Sequence, residues 1–309
     1  MTKAFYMVPN DNEVHHYTDS GGLIGIVQKK KLWATNIQFL NDSLEYDYGL
    51  TSVSESLNKA VERVRESEDE ETPFTSELAE SVRFAIHILE GFGINSKASQ
   101  FVAFFSRFRD DLGQWRGYAR EGYCITFDWE KLTKSVEDMY GVDKAIISGP
   151  VVYGDGDEWG RADYIHLVLN RMHDILHNGD ADLEAYGLRG SDPLFTDLID
   201  RDDRHALAAV AGVAAVQQSI PFYKERGFAD EQEVRVCVSH SGAAEFRPSR
   251  IGPTPYIELG FDPACIKSIT VGPGLNIDLR QTTLEYLLTN EFGENHEIVV
   301  AKSDLSFRG

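Results

Sequence analysis

The amino-acid sequence predicts an α+β fold, in which mixed or antiparallel sheets carry helical insertions, and two observations predict it. Strand-like and helix-like segments come in groups along the chain rather than in alternation, which argues against a doubly wound parallel sheet. The other observation is the stretch from Phe101 to Asp128, FVAFFSRFRDDLGQWRGYAREGYCITFD. Two apolar, β-rich runs there enclose a short helix, giving a unit of strand, turn, helix and strand. The 309 residues are read as one domain, 1–309, with helical insertions around 44–95 and 160–220.

The elements follow in chain order. Val14 to Tyr17 is a short strand signal, and Gly21 to Lys30 places Leu23, Ile26 and Val27 at helical spacing. Leu32 to Ile37 is extended, and a helix runs from about Leu44 to Val64, ending at an acidic run, Glu66 to Thr72, that reads as a solvated loop. Glu77 to Leu89 is a second long helix, closed by Gly91, Gly93 and Asn95. In the central unit Gly122 stands where a helix commonly leaves through a left-handed residue. Ala145 to Tyr153 is β-like, whereas Ala162 to Ile175 and the alanine-rich Asp203 to Ser219 are helical. Strand patterns return at Glu233 to Ser239, Tyr256 to Leu259 and Ile266 to Val271, before a helix at Leu279 to Thr289 and a last strand at Glu297 to Ala301.

The formal charge of −20 disfavours generic attraction to phosphate backbones or anionic membranes, since both need a positive field. No apolar run reaches the length of a membrane-spanning helix and no signal-peptide core opens the chain, so a cytoplasmic setting is expected. Cys124, Cys237 and Cys265 are odd in number and widely spaced, which suits buried free thiols better than disulfides or zinc.

The chemistry-bearing residues fall in three clusters. Asp111, Gln114, Trp115 and Tyr118 share one face of the central helix, either as a pocket wall with a partly exposed indole or as a cap on the core. His15, His16, Tyr17 and Thr18 end the first strand. Glu231, Gln232 and Glu233 enter another, where alternation along an extended chain sets both carboxylates on one side. Two carboxylates so held can divide the work of charge stabilisation and proton transfer; a strand edge paired with Arg235 or Lys224 is the structural alternative.

The blocks HYT, TNIQFLNDSLEY, FFSRFRDDLGQWRGYAREGYCITFD, EQEVRV and IKSITVGPG resemble those of a bacterial domain-of-unknown-function family, number 2971. The order His16, Ser106, Glu231-Gln232-Glu233 also resembles the ADP-ribosyltransferase superfamily. That second resemblance implies a split sheet holding NAD as substrate, with Glu233 stabilising the oxocarbenium ion, Glu231 activating the acceptor and His16 bonding the adenosine-side ribose. It also implies that Tyr17, Thr18, Ser106, Trp115 and Tyr118 line the nucleotide site. ADP-ribose would then pass to a protein or nucleic-acid acceptor, or NAD would be hydrolysed, as in a toxin or phage-defence effector. Two readings stand beside it: a non-catalytic domain that recognises a ligand or partner, and a metal-dependent hydrolase of nucleotides or nucleic acid.

No metal is expected. His173 and His177 lie four apart but lack the glutamate of an HExxH site, and Asp155, Asp157 and Glu158 lack the remaining ligands of a calcium loop. Gly272-Pro273-Gly274 is a turn without the lysine of a phosphate loop. Asp42 to Glu45 fits a capping box, with Asn41 and Asp42 as the alternative rim of a pocket.

Overall fold

The computed structural model describes residues 5–6, 12–40, 44–66, 76–92, 100–140, 146–154, 158–178, 203–240, 242–249 and 251–305. The acidic run after Glu66, the Gly93 and Asn95 turn, the segment around Asp155 and Asp157, and Asn41 with Asp42 lie outside the described residues. The strands are β1 (Phe5–Tyr6), β2 (Glu13–Thr18), β3 (Lys31–Asn36), β4 (Gln100–Ser106), β5 (Tyr123–Asp128), β6 (Ile146–Pro150), β7 (Val152–Tyr153), β8 (Tyr223–Lys224), β9 (Glu233–Ser239), β10 (Glu245–Ser249), β11 (Gly252–Gly260), β12 (Ile266–Val271) and β13 (Val299–Lys302). The helices are α1 (Ser20–Lys29), α2 (Glu45–Glu66), α3 (Ser76–Phe92), α4 (Leu112–Gln114), α5 (Trp129–Tyr140), α6 (Glu158–Asn178), α7 (Arg204–Ser219) and α8 (Ile277–Phe292).

Eleven strands form one mixed sheet, with a main path β1-β6-β9-β4-β2-β5-β12-β13 and a branch β3-β11-β10 that leaves it at β4, and β7 pairs with β8 apart from it. Most neighbours are antiparallel; β1 with β6 and β12 with β13 are parallel. The α+β expectation therefore holds. The split sheet implied by the transferase resemblance takes another form. One edge of β4 pairs with β3 through Thr35 and Val102 and with β2 through His15 and Ser106, so the sheet forks there. The wedge between the branches is filled by apolar side chains rather than left open, as the edge-on rings of Phe127 and Phe261 show at 5.4 Å.

Alternation along β4 explains its continuous apolar run. Val102 faces the layer of α2, α3, α6 and α7, while Phe101, Ala103 and Phe105 face a second core under α1, α5 and α8. Both faces are covered, so no polar alternation is required. The helices form where their sequences favour them. Asp19 caps α1 by accepting from Gly22 N at 2.8 Å, and Asp203 caps α7 by accepting from His205 N at 2.9 Å. The sequence reading omits α5, although Trp129, Leu132, Thr133 and Val136 form its buried stripe and Asp128 accepts from Lys131 N at its start.

In the central unit α4 passes into a single π turn, Trp115–Ala119, and the chain leaves it through Arg120 at φ 52°. Gly122 is not the left-handed residue. Its lack of a side chain serves close approach instead, because a Cβ there would stand 2.1 Å from the Thr18 carbonyl oxygen.

Candidate functional site

Register builds the site. Glu233 lies opposite Ser106, Ser106 opposite His15, and His15 opposite Thr126, so four polar side chains form a row across β9, β4, β2 and β5. Parity with Val102 and Cys237 assigns the row to the face that carries α2, α3, α6 and α7. His15 Nδ1 shares a hydrogen bond with the Thr126 hydroxyl at 3.0 Å.

His16 is not in this row. Successive residues of a strand point to opposite faces, and His16 packs at 5.8 Å from the Phe105 ring in the other core. Its Nδ1–H donates to the Phe104 carbonyl at 2.9 Å. Burial lowers its pKa by more than that bond raises it. The expectation that His16 joins Ser106 and Glu233 is corrected: His15 occupies that position. Thr18 shares the parity of His16 and abuts the first turn of α1, where a Cβ on Gly22 would come 2.0 Å from its hydroxyl.

Trp115 is fully buried, against the expectation of a partly exposed indole, and its Nε1–H donates to Asp110 at 2.7 Å. Tyr17 meets its ring edge-on at 4.8 Å. The Tyr17 hydroxyl donates to the Phe108 carbonyl at 2.7 Å and accepts from Asp111 N at 3.0 Å, so this ring braces the 107–111 loop. Ser106 accepts from Phe108 N and donates to the Glu231 carbonyl, both at 3.2 Å. Of the proposed wall, Tyr118 alone is exposed; Gln114 is buried, donating to the same Glu231 carbonyl at 3.0 Å.

Glu231 and Glu233 converge, but not through extended alternation. Glu231 ends a 3-10 turn, Arg226–Glu231, and Gln232 turns the chain in a left-handed conformation at φ 45°, ψ 50°. Both carboxylates thereby reach Lys224, whose Nζ is 2.5 Å from Glu231 Oε2 and 3.4 Å from Glu233 Oε1. Glu45, which the sequence reading left in a capping box, enters the same cluster with Oε2 3.8 Å from Lys224 Nζ. Arg235 ties it together. Its Nη1 donates to Glu45, its Nη2 and its Nε to Glu233 Oε2, the last at 2.7 Å, and its plane lies over the Phe104 ring.

Three carboxylates thus face two cations, and the imbalance falls on Glu231. Burial raises the Glu231 pKa, the Glu233 charge adds to this, and Lys224 opposes it only in part. For Glu233 burial also pushes upward, but Arg235 and Lys224 outweigh it and hold that carboxyl below its ordinary value. The Glu231 side chain remains 25% exposed and accepts from the Tyr118 hydroxyl at 3.1 Å, whereas that of Glu233 is 8% exposed. Tyr153 completes the inner wall, its hydroxyl accepting from Glu233 N at 2.8 Å. A reachable carboxyl whose pKa is raised therefore stands beside a locked one whose pKa is lowered.

The pairing of Glu231 and Glu233 with Lys224 and Arg235 was legible from their proximity in sequence. Glu45 and Tyr153 carried no such signal, because 190 residues separate Glu45 from Arg235 and 80 separate Tyr153 from Glu233. Among the described residues no group of three or more His, Cys, Asp or Glu side chains could hold a metal ion, and no helix is long and apolar enough to cross a membrane. His173 and His177 stack at 4.0 Å between ring centroids.

No curated protein and no solved structure matches the chain. The family read from the sequence blocks is found, and the ADP-ribosyltransferase likeness is not among the matches. Residues 114–236, the stretch that contains Tyr118, Lys224, Glu231, Glu233 and Arg235, match the family model described as Protein of unknown function (DUF2971).

Proposed function

We propose that the chain is an enzyme in which Glu231 transfers a proton while the glycosidic bond of a nucleotide breaks, with NAD as substrate and either water or a macromolecule as acceptor. The opposed titration of two adjacent carboxyls carries this reading, since environments that push neighbouring pKa values apart mark an acid-base pair. The roles differ from those the resemblance implies. Glu233 is engaged by Arg235 and Lys224, so it holds the cations in place, and Glu231 is the carboxylate that reaches a substrate. The acceptor's O–H would give its proton to Glu231 as its oxygen bonds to the ribose carbon, and nicotinamide would leave with the electron pair of the broken bond. A base with a raised pKa accepts that proton more readily at neutral pH.

The test is nicotinamide release from NAD, with and without cell extract as a source of acceptor. Glu231→Gln should lower release by about 10²–10⁴-fold, the usual worth of a positioned acid or base, with the fold intact. Release by the variant at the wild-type rate, or none by the wild type under any of these conditions, overturns the proposal. A second reading, non-catalytic recognition of a ligand or partner, draws on the exposed Tyr118 ring and the locking of Glu233. Ligand binding without release would favour it.

A further inference from the structure

An open cleft of about 520 Å³ lies between Glu13 and His15 of β2 and the 107–111 loop. We propose that this cleft binds the phosphate or pyrophosphate group of a ligand through the guanidinium groups of Arg107 and Arg109.

The loop is held rigidly. Arg107 N donates to the Gln232 carbonyl at 3.0 Å, Phe108 N to Ser106 Oγ at 3.2 Å, and the Tyr17 hydroxyl ties Phe108 O to Asp111 N. The backbone from which both arginines project is thereby fixed, which lowers part of the ordering cost of binding. Arg107 Nε is buried and has no hydrogen-bond partner. That atom itself is closed to a ligand, but Arg107 and Arg109 both border the cleft, and the terminal nitrogens of a guanidinium match phosphate oxygens in a fork.

The cleft also contains three acids, and each is engaged. Asp110 Oδ1 accepts from Trp115 Nε1 at 2.7 Å and Ser303 Oγ at 2.6 Å, while Oδ2 accepts from Asp304 N at 2.8 Å. Asp111 caps α4 by accepting from Gln114 N at 2.9 Å. Glu13 is paired with Lys267. These contacts fix the three carboxylates, and Lys267 offsets the charge of Glu13, so the two arginines are the cationic groups lining the cleft that can donate to an incoming anion. The Phe108 ring, 48% exposed on the same wall, offers a face on which a base could stack.

Calorimetric titration of the full chain with inorganic pyrophosphate, ADP and adenosine tests the proposal without requiring turnover. Glu231→Gln, which removes the proposed catalytic group, should bind as the wild type does, so a failure here is distinct from a failure of the catalytic reading. Pyrophosphate and ADP should both bind, and adenosine much more weakly. Tighter binding of ADP than of pyrophosphate identifies a nucleotide as the source of the anion; equal binding identifies the inorganic group. Arg107→Ala and Arg109→Ala should each weaken ADP by about tenfold to a hundredfold, with melting temperatures confirming the fold. Adenosine binding as tightly as ADP, no binding of either anion at millimolar concentration, or unchanged affinity in both folded arginine variants overturns the site.

Discussion

Arg235→Met should be among the most damaging single changes in this chain. Arg235 is 1% exposed, donates to Glu45 on α2 and to Glu233 on β9, and also donates to the Pro221 carbonyl at 2.5 Å. Methionine retains part of the stem's packing against Phe104 but leaves two buried carboxylates with Lys224 as their remaining cation. Breaking a buried ion pair by removing one partner costs about 3–5 kcal/mol. At about 2.1 cal/mol/K of unfolding entropy per residue, a chain of 309 residues loses about 1.5 °C per kcal/mol, so the melting temperature should fall by about 5–8 °C. The loss should also depend on pH. In the wild type Glu233 has a lowered pKa, so its contribution is present above the unfolded carboxyl value and disappears only as the pH falls through the folded one. In the variant burial acts without the guanidinium and raises that pKa, so protonation relieves the strain and the deficit should be smaller at pH 5 than at pH 8. Calorimetric melting of both proteins from pH 5 to 8 checks this. A drop below about 2 °C at pH 7, or a deficit that grows on acidification, would refute the reasoning.

Trp115→Ala should destabilise by about 3–5 kcal/mol, the cost of a large aromatic cavity, because the indole is fully enclosed and bonded to Asp110; a melting temperature near that of the wild type would contradict its assignment to the core. Burial lowers the His16 pKa below its ordinary 6.5, so the unfolded chain takes up the proton first and stability should decline as the pH falls below about 6.5 toward the folded value. His16→Gln can still donate to Phe104 O but does not titrate there, so it should flatten that part of the stability curve. An identical pH dependence in the two proteins would show that His16 does not contribute.

Much of the fold follows from local pattern. The runs Phe101–Phe105 and Tyr123–Phe127, the spacing of Leu23, Ile26 and Val27, and the alanine-rich stretch after Asp203 name their elements because each pattern matches the period of a strand or helix. The same local logic suggested that Glu231 and Glu233 act together and that Lys224 or Arg235 would pair with them. What sequence could not supply was which strand lies beside which. Whether His15 or His16 meets Ser106 is a matter of register, and a shift of one residue exchanges the two faces of a strand. The left-handed Gln232 brings Glu231 to Lys224 by a route that alternation does not describe. Glu45 arrives from another helix, and the burial of Trp115 depends on Tyr17 and Cys124 from neighbouring strands. The sequence by itself determined the elements and the charges available to them. Tertiary structure decided which charges are buried together, because burial and long-range pairing arise only when segments distant in the chain exclude water between them.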